Sequence, residues 1–98
     1  GNLMSIEPGY YEDGRFGICI ENLAFVTKDE KLSTAARTWY RFHPVTLCPI
    51  DRKLIDKSLM TRDHVAWLDA YHKRVYRELA PSLGREEKAW LRKATRPL

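Results

Sequence analysis

The chain is short and basic: its 98 residues include 17 Lys or Arg and 13 Asp or Glu, for a net charge of +4. This length allows at most one small domain with a modest core, because short chains bury a smaller share of their surface on folding. The sequence has no apolar run of roughly 18 residues, as a membrane span requires, and no signal-peptide pattern. Its two cysteines are too few for a disulfide framework. We therefore expect a cytoplasmic protein with no membrane partner.

The first predicted element is a β-hairpin over residues 5–22 that contains two glutamates, Glu7 and Glu21. Both lie among apolar, strand-like neighbours, where a carboxylate needs a cation, a hydrogen-bond network or an exposed surface. Two such glutamates suggest a shared cation. Pro8 and Gly9 make regular pairing directly after Glu7 unfavourable, because proline cannot donate to a ladder and both residues mark bends. The predicted hairpin is therefore irregular.

The length of the hairpin loop decides whether the two glutamates face each other. Successive strand side chains point to opposite faces, so Glu21 lies on the face opposite to Ile18 and Ile20. Glu7 can lie directly across from Glu21 only if the loop has an odd number of residues. A three-residue loop with a glycine bulge, or a longer odd loop, satisfies this condition, whereas a two-residue turn at Asp13-Gly14 does not.

A third strand is predicted after a polar surface loop. Residues 23–26 continue the second strand of the hairpin, residues 27–36 form the loop, and alternation over residues 38–47 favours another strand with Pro44 at a bend or an edge. The three strands make a meander. His43 in this strand could be a metal ligand, a proton carrier or a structural residue, and we favour the structural interpretation because a single histidine is weak support for a site.

The connector over residues 51–60 is expected to be anchored by Leu54, Ile55 and Leu59. Thr61 is a plausible N-cap for a helix over residues 62–79. The core-facing stripe of this helix is predicted from three- and four-residue spacing. It contains Val65, Leu68, Tyr71, Val75 and Leu79, widened by Trp67 and Tyr76. His64 and His72 lie on this helix and are weaker site candidates than His43.

A second helix is predicted to begin at Gly84, with acidic residues in its first turn and basic residues near its end, as the helix dipole favours. Its packing face is predicted to contain Trp90, Leu91 and Ala94. The fold class is therefore α+β, a short antiparallel β-meander followed by two C-terminal helices. The half from Asp51 onward carries 12 basic and 7 acidic residues, or +5, against −1 for the first half. Nucleic-acid binding by these helices is disfavoured because glutamates interrupt the basic patch.

Three stretches carry a resemblance to a known family: Ser-Ile-Glu-Pro-Gly-Tyr-Tyr-Glu-Asp-Gly at 5–14, Phe-Gly-Ile at 16–18 and Ile-Glu-Asn at 20–22. Together they resemble the glutamate-containing block of the pita-bread metallopeptidases, in the Xaa-Pro aminopeptidase (aminopeptidase P) branch. Residues 44–50 and the helix around Trp67 and His72 resemble the C-terminal part of the eukaryotic-type enzymes. The resemblance covers nearly the whole chain.

The resemblance implies a dinuclear metallohydrolase that removes the N-terminal residue from peptides with proline in second position. Glu7 and Glu21 match the last two of five metal ligands, with Glu21 bridging two divalent ions, commonly manganese. A hydroxide that bridges the metals would attack the scissile carbonyl, with Glu7 as the catalytic residue that orients the water or takes its proton. Tyr11 would contact the substrate.

The family places two Asp ligands and the His ligand before this block. We therefore interpret the chain as the C-terminal part of a longer enzyme, expected to be inactive alone. Residues 1–50 would be the end of the catalytic domain and residues 51–98 a helical C-terminal extension. The resemblance also implies a homodimer through the C-terminal region, and a non-catalytic oligomerisation module is the alternative function.

Cys19 departs from the family pattern, which usually has Arg two residues before the bridging glutamate. A thiol supplies none of the fixed charge of a guanidinium. Three interpretations are open: an extra soft metal ligand, a redox-sensitive thiol, or a small buried residue, which general cysteine behaviour favours.

Overall fold

The computed structural model describes all residues from Gly1 to Leu98, and the chain divides into two compact units, residues 1–46 and residues 47–98. The first unit contains only β-strands and the second contains the helices. The predicted α+β class, with antiparallel strands followed by two helices, is confirmed.

The first unit has five strands where three were predicted, because each long strand of the hairpin is interrupted near a glutamate. One sheet has the order β1-β4-β5 and the other pairs β2 with β3, and all pairs are antiparallel. The last strand is shorter than the predicted span of residues 38–47. The strands are β1 (Leu3–Ile6), β2 (Gly9–Glu12), β3 (Phe16–Cys19), β4 (Asn22–Lys28) and β5 (Tyr40–Pro44).

The hairpin loop has an odd length. Glu12 pairs with Phe16, which leaves the three residues 13–15 as the loop. Gly14 adopts a φ of 70°, a left-handed conformation that glycine tolerates without steric cost. The Arg15 N–H closes the turn by donating to the Glu12 carbonyl at 3.0 Å. The prediction of an irregular hairpin is confirmed, and of the loops considered, the three-residue loop forms.

The first unit has almost no core of its own. Ala24 is the only buried residue among residues 1–46. Large apolar side chains on its strands, such as Tyr11 at 68% and Phe42 at 55%, remain exposed.

The second unit begins with two short 3-10 turns, Arg52–Leu54 and Lys57–Leu59, each capped by an aspartate. The Asp51 carboxylate accepts from the Lys53 N–H at 3.0 Å, and the Asp56 carboxylate accepts from the Ser58 N–H at 2.9 Å. Hydrogen bonds from Ser58 lower the pKa of Asp56. These caps satisfy backbone donors in a segment that has no ladder.

Two α-helices follow, α1 over Arg62–Leu79 and α2 over Arg85–Ala94. Thr61 caps α1 as predicted: its hydroxyl accepts from the His64 N–H at 3.1 Å, while the His64 ring nitrogen Nδ1 accepts from the Thr61 N–H at 3.4 Å. Each half of this capping box satisfies one amide that the helix leaves unpaired. Gly84 is the N-cap of α2, also as predicted.

The core of the second unit lies where the two helices meet. Its buried members are Leu68, Tyr71, Val75, Ala80 and Leu91. Several predicted anchors are wrong. Leu54 is 71% and Leu59 82% exposed, because Ile55 and Met60, the residues that follow the two 3-10 turns, pack on the core instead. The prediction that Trp90 packs on the core is also wrong, because its side chain is 63% exposed. Leu91 and Thr95 define the inward side of α2, and Trp90 lies about 100° around the helix from Leu91.

Two neighbouring side chains of α1 hold the segment that begins the second unit. The Tyr71 hydroxyl donates to the Cys48 carbonyl at 3.0 Å and accepts from its N–H at 3.4 Å. His72 is fully buried, and its Nε2 accepts from the Ile50 N–H at 3.0 Å. Burial lowers the pKa of His72, the nearby Arg52 charge lowers it further, and Asp69 opposes this effect.

Candidate metal centre

Glu7 and Glu21 lie across from each other in the gap between the two ladders. The β1–β4 and β2–β3 ladders have the same register, so position 7 falls opposite position 21 when that register is continued. The backbones stay in contact through the gap, because the Ile20 N–H donates to the Pro8 carbonyl at 3.1 Å. Directly opposed residues share one face of an antiparallel pair. The three-residue loop thus brings the two carboxylates to one face.

Both carboxylates are accessible from solvent in this chain. The Ser5 hydroxyl donates to Glu7 Oε1 at 2.7 Å, which orients that carboxylate. No hydrogen bond or ion pair engages the Glu21 carboxylate. Two opposed carboxylates with no cationic side chain paired to either are a suitable donor set for a hard divalent cation.

Tyr11 and Cys19 occupy the same face, next to the glutamates. A hydrogen bond with the Cys19 thiol raises the pKa of the Tyr11 phenol, and the charges of Cys19, Glu7 and Glu21 raise it further. Cys19 itself is exposed, so its interpretation as a small buried residue is wrong for this chain.

His43 does not join the glutamates. It lies on β5 opposite Phe25, which is four residues along the chain from Glu21. No group of three or more His, Cys, Asp or Glu side chains is placed to hold a metal ion. The hairpin therefore supplies two carboxylate donors, and a complete metal site requires further ligands.

Three residues of this face were missed by sequence reasoning. Ser5 orients Glu7, while Gly9 and Gly17 lie under the Tyr11 ring. The glycines could have been found, because glycine inside a strand often marks close approach of another group. Ser5 carries no comparable pattern in the sequence.

No helix of the structure has the length and hydropathy that crossing a membrane requires.

Comparison with known proteins agrees with the resemblance noted in the sequence. The model of the C-terminal region of peptidase M24 matches residues 38–98. A probable Xaa-Pro aminopeptidase P from Coprinopsis cinerea is 42% identical across the whole chain, and Xaa-Pro aminopeptidase 2 from Sus scrofa is 41% identical across the whole chain. The chain spans 16% of the first of these relatives and 15% of the second.

A solved structure has the same fold. The X-prolyl aminopeptidase from Caenorhabditis elegans, described as a cytosolic enzyme with a di-nuclear active site, superposes with a TM-score of 0.83 at 34% identity. The match covers 98% of this chain and 16% of that protein. The family model, the whole-chain identities and this superposition agree, and the chain accordingly belongs to the M24 peptidases, as a C-terminal part in their Xaa-Pro aminopeptidase (aminopeptidase P) branch.

Proposed function

We propose that the protein containing this chain is a metal-dependent Xaa-Pro aminopeptidase that acts on peptides with proline in second position. The observation that carries the proposal is the pairing of Glu7 with Glu21 across the hairpin gap, which provides two hard donors on one face. The related Caenorhabditis elegans protein has a di-nuclear active site, which supports two metal ions as the cofactor.

Each glutamate has a distinct role in this proposal. As the resemblance implies, Glu21 would be the ligand shared by the two ions, since a carboxylate has two oxygens that can bind different metals. Glu7, whose carboxylate accepts from the Ser5 hydroxyl at 2.7 Å, would hold one ion and would be the catalytic residue that orients the reacting water or takes its proton. When bound, the ions supply an activated water and polarise the scissile carbonyl. Manganese is the proposed metal because the family resemblance implies it, and oxygen donors suit it.

The remaining ligands lie outside this chain, because two carboxylates alone give few donors and little pre-organisation. Residues 1–50 are then the end of the catalytic domain, and residues 51–98 form a helical C-terminal extension. The chain alone is expected to be inactive. We also propose a cytoplasmic protein that forms a homodimer through the C-terminal region, with Tyr11 in contact with the substrate.

The proposal is tested by metal content and turnover in the longer protein. Glu7→Gln and Glu21→Gln replace a carboxylate with a neutral amide of the same shape, so each variant should lose bound manganese and hydrolysis of an Xaa-Pro peptide. Glu86→Gln is the matched control, because Glu86 is exposed in the first turn of α2, far along the chain from the hairpin. Full turnover and full metal content in Glu21→Gln would remove Glu21 from the ligand set.

A further inference from the structure

Gly9 and Gly17 lack side chains at two positions where a Cβ would collide with the Tyr11 ring. Both lie within strands, and neither has a positive φ; only Gly14 does. An alanine Cβ at either position would instead meet the Tyr11 side chain. The closest approach is 2.7 Å at Gly9 and 2.6 Å at Gly17, both shorter than real Cβ contacts. The missing side chains therefore make room for one aromatic ring.

The contacts also give the direction of that ring. At Gly17 the nearest atom is Tyr11 Cδ1 at 2.6 Å, near the base of the ring. At Gly9 the nearest atom is the Tyr11 hydroxyl oxygen at 2.7 Å, at the far end. The ring therefore lies along the hairpin with its hydroxyl beside Gly9 and its cross-strand partner Cys19, on the side of Tyr11 that leads toward Glu7. Gly9 is two residues from Glu7, which is about 7 Å along a strand.

We propose that Gly9 and Gly17 are positioning residues that seat the Tyr11 ring, so that its hydroxyl donates a hydrogen bond to a carbonyl oxygen of the peptide bound at the Glu7–Glu21 face. The class of ligand rests on the proposed function, whereas the position of the Tyr11 ring over Gly9 and Gly17 rests on contacts within this chain alone.

A purely structural role is the alternative, because an aromatic ring that covers a cross-strand glycine can stabilise a sheet by itself. The two roles differ in what the hydroxyl contributes. The ring is 68% exposed and can swing away into solvent when a Cβ intrudes. Alanine at Gly17 should therefore displace the hydroxyl at a small cost in stability, so that activity falls while the melting temperature hardly changes.

The structural test uses metal-free crystals of the longer protein and of its Gly17→Ala variant. The Tyr11 ring should lie over both glycines in the unmodified protein and be displaced in the variant. Gly84→Ala is the matched control, because a Cβ there would meet only the flexible carboxylate end of Glu87, at 2.6 Å. If the ring keeps its place in the Gly17→Ala variant, or lies elsewhere in the unmodified protein, the proposal that the two glycines position Tyr11 is wrong.

The functional test is a double-mutant cycle on kcat/KM for an Xaa-Pro peptide. Tyr11→Phe keeps the ring and removes the hydroxyl, so it and Gly17→Ala should each lower kcat/KM by roughly tenfold, the value of one hydrogen bond to a substrate. Gly84→Ala should leave kcat/KM unchanged.

The combination of the two changes decides the mechanism. Gly17→Ala should cost nothing further in the Tyr11→Phe background, since no hydroxyl remains to be positioned. Additive losses, or full activity of Tyr11→Phe, would overturn the positioning role. If the unmodified protein cleaves no Xaa-Pro peptide, the proposed function is wrong. The crystal structures would still show whether Gly9 and Gly17 position the Tyr11 ring.

Discussion

Replacing His72 with leucine should destabilise the second unit by about 1 kcal/mol at pH 8, and this difference should shrink as the pH falls below 6.5. The side chain is fully buried, and its Nε2 is the acceptor for the Ile50 N–H. Leucine has a similar volume, so the change removes the acceptor without opening a large cavity. The prediction therefore isolates one buried hydrogen bond.

Two opposing effects set the size of the loss. Leaving the Ile50 amide without its acceptor costs about 1–3 kcal/mol. Leucine also removes the His72 Nδ1 atom, which is buried with no hydrogen-bond partner, and this returns about 1 kcal/mol. The net cost lies near the low end of the range. His72→Gln, which carries an acceptor oxygen, should recover part of it.

The pH dependence follows from the lowered pKa of His72. Below its ordinary pKa of 6.5, the unfolded chain binds a proton that the folded chain resists. The stability that neutral His72 contributes is therefore present above pH 6.5 and is lost as the pH falls toward the folded pKa. The slope in this window is at most about 1.4 kcal/mol per pH unit. The advantage of the unmodified chain over His72→Leu should therefore shrink as the pH falls below 6.5.

Urea unfolding of both chains between about pH 5.5 and pH 8 measures this difference. Trp67 is a suitable fluorescence probe, because it stacks on Tyr71 with ring centroids 5.4 Å apart. His43 and His64 are common to both chains, so the comparison isolates His72. A difference in stability that stays constant across this pH range would refute the reasoning.

Two further predictions concern single backbone features. Thr61→Ala removes the hydroxyl that accepts from the His64 N–H and should cost about 1 kcal/mol in urea unfolding, whereas Thr61→Ser should cost little. Gly14→Ala forces a side chain into a φ of 70° and should cost about 1–2 kcal/mol. Gly14→Asn should cost less, because asparagine tolerates this conformation, and equal losses for both variants would contradict that explanation.

The helices were predictable because their termini carry local chemistry. Thr61 and Gly84 mark the beginnings of α1 and α2, and the apolar spacing of Leu68, Tyr71 and Val75 fixes the inward face of α1. Each of these depends on residues within one or two turns of the same helix. Local sequence therefore determines them.

The exposed side chains were harder to predict. Trp90 is apolar and lies next to the core residue Leu91, yet its position around α2 leaves it in solvent. Leu54 was assigned as an anchor, but the 3-10 turn capped by Asp51 gives the inward position to Ile55. A propensity for burial cannot reveal which of two neighbouring apolar residues the backbone turns inward.

The residues of the candidate site could be predicted from the sequence, but the length of the loop that joins them could not. The sequence identifies Glu7 and Glu21 and limits their loop to an odd length, but several odd loops were compatible with it. The three-residue loop that contains Gly14 is selected by the register that the two ladders share on either side of the gap. The ring of Tyr11 across Gly9 depends on side-chain packing and could not be derived from strand alternation alone.

The common register of the two ladders also bears on the order of folding. Pairing can begin at the Gly14 turn and proceed outward, first joining β2 to β3 and then β1 to β4, without closing any further loop. Hairpins of this kind form in about 1–10 μs, because their contacts are close along the chain. Glu7 and Glu21 should therefore meet early, before slower long-range contacts form. The two carboxylates would then be in place as a preformed half-site when the rest of the protein folds around them.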